Sequence, residues 1–358
     1  MEQLSITALS ESELTSYLTE LGEPPYRGRQ IFASLHQRRL TSFDEMTELP
    51  KELRAKLDKQ CRALTLSMED RFISSDGTRR YLMRTFDGFP VETVFIPEDR
   101  RDTICFSSQS GCPLQCSFCL TAQLGLLRSL TPAEIVDQVR IVLNDAFGAK
   151  VRAPRGINLV GMGAGEPLLN LESLMKALRV MADSRGLHIV PNRVTISTAG
   201  VVPKIRELAR MGDRPHLAIS LSAANDKLRD QLMPINKRWP LRELLHACKD
   251  FEKTLRPGER LTFEYVLLAG VNDSEGDACE LARLLNRNEL RAKVNLIPHN
   301  KAEPLEYQAP VAERVESFRN VLESKGVRSY VRKPRGRDIY AACGQLAARQ
   351  SITRAARI

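Results

Sequence analysis

Aromatic residues and long apolar runs are both scarce in this chain of 358 residues. It has one Trp, and aromatic residues make up only 6% of the sequence. No run approaches the roughly 18 apolar residues that a membrane-spanning helix requires. The start, Met1-Glu2-Gln3-Leu4-Ser5, lacks the basic residues and apolar stretch of a signal peptide. The sequence therefore argues against a membrane protein and predicts a cytoplasmic one.

Cysteine is too sparse for a disulfide scaffold, since there are eight in the whole chain. In a reducing compartment such cysteines are typical of metal ligands or catalytic thiols. The five histidines are scattered and form no metal-binding pattern. Cys61, Cys248 and Cys279 have no partner at ligand spacing, and we assign them no role.

Acidic residues almost disappear toward the C-terminus. From Lys325 onward the only acid is Asp338, so most of the net charge of +9 lies in that segment. The bases there are Lys325, Arg328, Arg332, Lys333, Arg335, Arg337, Arg349, Arg354 and Arg357. Such a patch attracts phosphates and indicates a nucleic-acid partner. On charge alone, a solvated basic tail is an equal alternative.

The length leaves room for about two domains, and the N-terminal part differs from the rest. Residues 1–60 predict short helices: a capping box at Ser10-Glu11-Ser12-Glu13, a helix from about Arg27 to Arg38, and a third after Pro50. This segment is either an RNA-binding accessory domain or a structural cap. Residues 61–98 predict a short antiparallel β extension, because Asp76-Gly77 and Asp87-Gly88 are hairpin dipeptides.

Three cysteines lie close together in Gly111-Cys112-Pro113-Leu114-Gln115-Cys116-Ser117-Phe118-Cys119. Their C-x3-C-x2-C spacing allows three thiolates to converge from one loop. Thiolates are soft ligands that iron–sulfur clusters and zinc select. A closed zinc site or an ordinary cluster takes four protein ligands, so three leave one metal position open. Buried structural thiols, or zinc with a distant fourth ligand, are the alternatives.

The loop resembles the cluster motif of the radical S-adenosylmethionine (SAM) enzymes. The resemblance implies one [4Fe-4S] cluster held by Cys112, Cys116 and Cys119, with SAM on the fourth iron. From Thr103 onward, strand and helix patterns alternate, which predicts an α/β fold with the site at the carboxyl ends of the strands. Six units are too few for an eightfold barrel and fit the partial (β/α)6 barrel of this superfamily. We place it at residues 99–342, followed by a C-terminal segment at 343–358.

Residues at the ends of the predicted strands are candidates for binding SAM. Gly165 and Glu166 lie in the run Gly161-Met162-Gly163-Ala164-Gly165-Glu166-Pro167, where glycines let a ligand approach the backbone and Glu166 offers a carboxylate for an ammonium group. Further candidates are Ser197, Ser220, Leu221, Ser222 and Asn300. Compared with the related motifs, Ala164 replaces a Met and Ser222 replaces a His.

Cys343 lies in a small turn beside several bases, in Arg332-Lys333-Pro334-Arg335-Gly336-Arg337-Asp338-Ile339-Tyr340-Ala341-Ala342-Cys343-Gly344-Gln345-Leu346. Neighbouring bases favour the nucleophilic thiolate. This stretch resembles the RlmN/Cfr family of radical SAM RNA methyltransferases. The resemblance to that family extends over essentially the full length of the chain. Arg337 and Tyr340 replace two acids common in that family.

The resemblance implies a reaction and a set of roles. Cys343 takes a methyl group from a first SAM, and a second SAM, cleaved at the cluster, supplies a radical that activates that methyl group. Glu92 acts as general base on the target adenine, and Cys105 releases the product through a transient disulfide with Cys343. The expected product is 2-methyladenosine in 23S rRNA and in tRNA next to the anticodon. A low-potential, flavodoxin-like electron donor and a monomeric enzyme are also expected.

Three alternatives remain open. A Cfr-type enzyme would methylate C8 of adenine instead of C2. A radical SAM enzyme acting on a protein or small molecule would not need Cys343 or the basic tail. A zinc-binding RNA module without catalysis would use the three cysteines for structure alone.

Overall fold

The N-terminal part of the computed structural model, which describes residues 3–346, is mainly helical. Its elements are β1 (Leu4–Ser5), α1 (Glu11–Glu20), α2 (Tyr26–Phe32), α3 (Lys51–Gln60) and β2 (Cys61–Arg62). The predicted capping box starts α1, since the Glu13 amide donates to Ser10 Oγ and the Ser10 amide donates to the Glu13 carboxylate. The second predicted helix is present as α2, which continues without a break into a π-helical turn at Ala33–Gln37.

Three antiparallel strands follow: β3 (Leu66–Ile73), β4 (Arg79–Thr85) and β5 (Pro90–Ile96). The two predicted hairpin turns join them. Gly77 and Gly88 have φ of +81° and +88°, a conformation that favours glycine. The extension is continuous with the main sheet, because β5 pairs antiparallel with the first parallel strand, β6 (Asp102–Cys105).

The rest of the described chain alternates strands and helices. After β6 come β7 (Gln109–Gly111), α4 (Leu120–Gln123), β8 (Leu126–Ser129), α5 (Pro132–Phe147), β9 (Ile157–Gly161), α6 (Leu171–Ala182), β10 (Val194–Thr198), α7 (Val202–Ala209), β11 (His216–Ser220), α8 (Asp226–Leu232), α9 (Leu241–Glu252), β12 (Leu261–Leu267), α10 (Glu275–Arg287), β13 (Ala292–Pro298), α11 (Ala312–Ser324) and β14 (Ser329–Val331). The short pair β7 and β8 is an addition that the sequence did not predict.

One ten-stranded sheet runs in the order β14-β13-β12-β11-β10-β9-β6-β5-β4-β3 within residues 3–346. Within this sheet, β6 and the six strands from β9 to β14 pair in parallel. Their carboxyl ends therefore meet along one edge. This confirms the predicted α/β class, with an open parallel barrel, a helical N-terminal part and an antiparallel extension. No helix in the described residues is long and apolar enough to span a bilayer.

Arg140 on α5 joins the helical N-terminal part to the barrel. Its fully buried guanidinium donates to the carbonyl oxygens of Leu35, Leu40 and Ala63 and pairs with Asp137. Asp137 in turn accepts hydrogen bonds from the amide and hydroxyl of Thr65, at 2.7 Å each. The junction thus depends on one buried ion pair whose remaining polar atoms are satisfied by the N-terminal segment.

We expect Arg140→Ala to lower the free energy of unfolding by about 3–5 kcal/mol, because it leaves Asp137 charged and buried beside orphaned carbonyl groups. Urea denaturation measures the effect. Arg206→Ala is the matched control, since Arg206 and Asp250 form a half-exposed pair at 3.4 Å and should contribute less than about 1 kcal/mol. Equal losses in the two variants would contradict a special role for Arg140 at the junction.

Candidate active site

The three closely spaced cysteines lie on the loop between β7 and α4. Gly111 starts this loop at φ +75°, and a Cβ there would lie 1.9 Å from the Gly125 carbonyl oxygen, so a side chain is excluded. The Cys112 amide donates to the same oxygen at 2.8 Å. The Cys119 amide donates to the Cys116 carbonyl at 3.2 Å. These contacts fold the loop back on itself and turn all three thiols toward one cavity.

That cavity, the first cavity, encloses about 960 Å³ including its open mouth. It is lined by Cys112, Cys116 and Cys119, by every residue from Gly161 to Pro167 except Ala164, and by Ser197, Ser220, Ser222, Glu264, Asn300, Arg332 and Cys343. The fold thus brings the thiols and most of the predicted SAM-binding residues to one place.

Not every predicted cofactor residue presents its side chain to the first cavity. Leu221 is fully buried in the hydrophobic core, and only its backbone lies between Ser220 and Ser222. Ser222 has φ +54° and faces the cavity, and its Oγ accepts a hydrogen bond from the Val266 amide at 3.4 Å. The alternation of side chains along the chain explains why Leu221 points elsewhere.

The backbone of the glycine-rich turn after β9 packs closely against the start of β7, the strand that precedes the cysteine loop. Gly165 has φ +104°, and a Cβ there would lie 2.6 Å from Gln109 Cβ. The Ala164 carbonyl accepts hydrogen bonds from the amides of Ser108 and Gln109, at 2.9 and 3.2 Å. Ala164 is buried and does not line the first cavity, so the change from Met alters packing behind the turn.

Glu166 is buried and its two carboxylate oxygens accept backbone hydrogen bonds. The Leu168 amide donates to one at 3.1 Å and the Ala199 amide to the other at 2.8 Å. Burial raises the pKa of Glu166 to about 7, although these hydrogen bonds by themselves lower it. The carboxylate therefore organises the turn and the start of the next loop while it lines the first cavity.

Cys343 is held directly against the cysteine loop. The Leu120 amide donates to the Gly344 carbonyl at 2.8 Å, and Asn300 Nδ2 donates to the Cys343 carbonyl at 3.1 Å. Asn300 Oδ1 also accepts from Arg337 Nε at 2.8 Å. Arg337, one of the departures from the family pattern, thereby fixes Asn300. The predicted bases Arg349, Arg354 and Arg357 lie outside the described residues.

A second cavity adjoins the first and contains both Cys105 and Cys343, together with Arg332, Lys333 and Arg335. All eight thiols are free. Burial raises the pKa of Cys105 to about 12, and the charge of Cys343 adds to this shift. The charge of Cys343 likewise holds the pKa of Arg332 above its usual range. The two catalytic candidates and one guanidinium therefore share one electrostatic environment.

Glu92 lies beside the second cavity but does not line it. It is buried on β5, where Arg80 Nη1 contacts its carboxylate at 2.7 Å. It shares a face of the strand with Val94, which pairs in register with Cys105. The structure thus pairs this carboxylate with a cation, and Glu92 lines neither of the two cavities.

Two side chains of the first cavity were missed in the sequence. Glu264 interrupts the apolar strand β12, and this single charge in a buried strand was the available signal. Arg332 was counted only as part of a basic patch. Its Nη1 lies 3.6 Å from Met162 Sδ, at the boundary of the two cavities.

The donor set suits an iron–sulfur cluster. Three soft thiols line one wall, and polar groups line the remainder of the first cavity. Within residues 3–346, no three His, Cys, Asp or Glu side chains surround a single point as ligands of one ion. A cluster does not need that arrangement, because its cysteines bind different iron atoms.

Comparison with known proteins agrees with this site. Residues 106–282 match the model of the radical SAM superfamily, and residues 4–63 match that of the ribosomal RNA large subunit methyltransferase N-terminal domain. The chain is 47% identical over 344 residues to the dual-specificity RNA methyltransferase RlmN of Geobacter sulfurreducens, covering 96% of this chain and 92% of the relative. It is 46% identical over 352 residues to a probable RlmN of Koribacter versatilis, covering 94% and 99%.

A solved structure supports the same assignment. The crystal structure of a radical SAM methyltransferase from Sphaerobacter thermophilus superposes with a TM-score of 0.91 at 41% identity and covers 96% of this chain and 99% of that one. Membership of the superfamily implies a [4Fe-4S] cluster and SAM. The chain belongs to the RlmN family of dual-specificity RNA methyltransferases, within the radical SAM superfamily.

Proposed function

We propose that this enzyme methylates C2 of a specific adenosine in 23S rRNA and of the adenosine 3′ to the anticodon in tRNA, through an S-methylcysteine at Cys343. The observation that carries the proposal is the hydrogen bond between Leu120 and Gly344. It holds the Cys343 turn against the cysteine loop, so that one cavity contains the thiol that carries the methyl group and the thiols that would bind the cluster.

The cofactors would be held by the residues of the first cavity. Cys112, Cys116 and Cys119 would bind the cluster, leaving one iron for SAM. Gly165, Glu166, Ser197, Ser220, Ser222 and Asn300 would surround SAM, with the Leu221 backbone between the two serines. When bound, SAM would supply the methyl group and, with the cluster and an electron donor of low potential, the radical that activates it.

The chain's own residues account for the remaining steps. Cys343 would carry the methyl group as a thioether, and the Arg332 guanidinium would stabilise its thiolate beforehand. Glu92 would accept the C2 proton of the adenine. The Cys105 thiolate would then attack the Cys343 sulfur, so that an S–S bond forms and the bond between Cys343 and the new carbon on the base breaks. That carbon would keep the electron pair and take up a proton to become the methyl group. The two thiols share the second cavity, as this step requires.

RNA would approach over the second cavity. Lys333 and Arg335 line it, and neighbouring Arg337 is exposed. These cations would contact phosphates beside the target base. The N-terminal helical part carries further arginines, which supports a role in RNA binding. The relatives are named dual-specificity RNA methyltransferases, which fits an interface based on charge rather than on one sequence.

Anaerobic incubation of the cluster-reconstituted protein with a 23S rRNA fragment and with a tRNA transcript tests the proposal. Mass spectrometry of the digested nucleosides should show 2-methyladenosine in both. RNAs in which guanosine replaces the target adenosine serve as controls. Formation of 8-methyladenosine would contradict C2 as the product carbon, and absence of methylation in both RNAs would contradict an RNA substrate.

A further inference from the structure

Glu264 is a buried residue that lines the first cavity and has one carboxylate oxygen without a hydrogen-bond partner among the described residues. It lies on β12 with 5% of its surface exposed. Asn295 Nδ2 donates to Oε1 at 2.9 Å. Oε2 is buried and has no hydrogen-bond partner among the residues that the structure describes. A buried carboxylate oxygen without a donor is costly, so this atom points to a ligand that supplies one.

Glu166, the other acid of the first cavity, differs from Glu264. Both oxygens of Glu166 already accept backbone amides, as described above. Glu264 has a single donor from the protein, a side-chain amide on the neighbouring strand. Of the two carboxylates, Glu264 therefore has the larger unused capacity to accept a hydrogen bond from a bound molecule.

The neighbours of Glu264 indicate the chemistry of that molecule. Strand register aligns Ser220, Glu264 and Asn295 across β11, β12 and β13, and Ser197 Oγ lies 3.2 Å from Ser220 Oγ. This row of hydroxyl, carboxylate and amide groups matches a polyol better than an apolar ring.

Charge also favours a neutral donor. Arg332 lines the same cavity and its positive charge acts on Glu264. No hydrogen bond or ion pair between them is present in residues 3–346, so the cation balances the charge without occupying Oε2. A second cation at that oxygen would be repelled by Arg332, whereas a hydroxyl would not.

We propose that Glu264 binds the ribose of SAM, with Oε2 accepting a hydrogen bond from a ribose hydroxyl. The inference rests on the proposed function, because it assigns a further residue to the same cofactor. It also gives Asn295 a role as the positioning residue that orients the carboxylate.

Equilibrium dialysis of the cluster-reconstituted protein measures the effect without turnover. SAM is compared with analogues that lack the 2′-hydroxyl, the 3′-hydroxyl or the adenine 6-amino group. For the wild type, removal of one hydroxyl should weaken binding roughly 10- to 100-fold, as for a hydrogen bond to a charged group. Removal of the 6-amino group and substitution of Glu264 should weaken SAM binding independently, so that their free-energy losses add.

Glu264→Gln keeps the shape and can retain the contact with Asn295 through its amide oxygen, but it places an NH2 group where Oε2 was. This variant should bind SAM roughly 10- to 100-fold more weakly and should no longer discriminate against the deoxy analogue. Glu207→Gln is the matched control, since Glu207 is an exposed acid paired with Lys204. It should bind as the wild type does. Iron content and circular dichroism check that each variant folds and holds its cluster.

Three results would overturn the inference. One is Glu264→Gln binding SAM like the wild type, another is unchanged discrimination against both deoxy analogues, and the third is coupling to the 6-amino group in place of a hydroxyl. If the variant does not fold, the wild-type measurements still test the inference. Equal affinity of the wild type for SAM and for both deoxy analogues would contradict a hydrogen bond to a ribose hydroxyl. A wild type that binds no SAM would refute the proposed function as well, whereas SAM binding without discrimination would refute only the role of Glu264.

Discussion

Cys343→Ala should lower RNA methylation by roughly three orders of magnitude or more, because the variant lacks the sulfur proposed to carry the methyl group. Its iron content should equal that of the wild type, since Cys343 is separate from the three thiols on the cysteine loop. The measurement is the initial rate of 2-methyladenosine formation, together with iron and sulfide analysis of the same preparation.

The control for this variant is Cys279→Ala, which removes a half-buried thiol on α10 that lines neither cavity. It should retain the wild-type rate and iron content. Full product formation by Cys343→Ala would contradict transfer through a cysteine. Loss of iron would instead place Cys343 among the metal ligands.

Cys105→Ala should stop the reaction one step later than Cys343→Ala. Without the second thiol, nothing attacks the Cys343 sulfur, so the RNA should remain covalently joined to the protein. A denaturing gel should show a stoichiometric protein–RNA complex that resists thiol reductants, because a thioether and not a disulfide forms the link. Free 2-methyladenosine should fall by roughly two orders of magnitude or more.

The control for Cys105→Ala is Cys248→Ala, another buried thiol, which lies on α9 in the hydrophobic core. It should turn over normally and yield no complex. Release of product by Cys105→Ala at the wild-type rate would show that a different group, or water, resolves the intermediate.

Local patterns made the cysteine loop and the strands predictable. The spacing of Cys112, Cys116 and Cys119 is a property of a few neighbouring residues, and the predicted alternation of strands and helices after Thr103 is present in the structure. The capping box of α1 formed because both of its hydrogen bonds lie within one turn. By contrast, the π turn after α2 and the strands β7 and β8 depend on tertiary contacts that no local pattern specifies.

Contacts between residues that are distant in sequence could not be predicted from residue spacing alone. Cys343 and Leu120 are far apart in sequence, and only the fold brings the Cys343 turn to the cysteine loop. The same holds for Glu264, whose partner Asn295 lies on the next strand, and for Glu92, whose partner Arg80 lies across a hairpin. The resemblance to a family supplied roles for Cys343, Cys105 and Glu92, which remain proposals.

The four departures from the family pattern differ in where they lie in this structure. Ala164 packs behind the glycine-rich turn, away from the first cavity. Ser222 and Arg337 act at the site itself, one facing the first cavity and the other fixing Asn300. Tyr340 adopts φ +54° close to Cys343, and nothing in the structure explains this choice of residue.

Transfer of an isotopic label tests directly whether the methyl group passes through Cys343. The protein is incubated with SAM carrying a ¹³C-methyl group, freed of small molecules, and then given unlabelled SAM, reductant and RNA for a single turnover. The account predicts that the first 2-methyladenosine carries ¹³C, in an amount equal to the labelled Cys343. Unlabelled product, with ¹³C still on the protein, would contradict it.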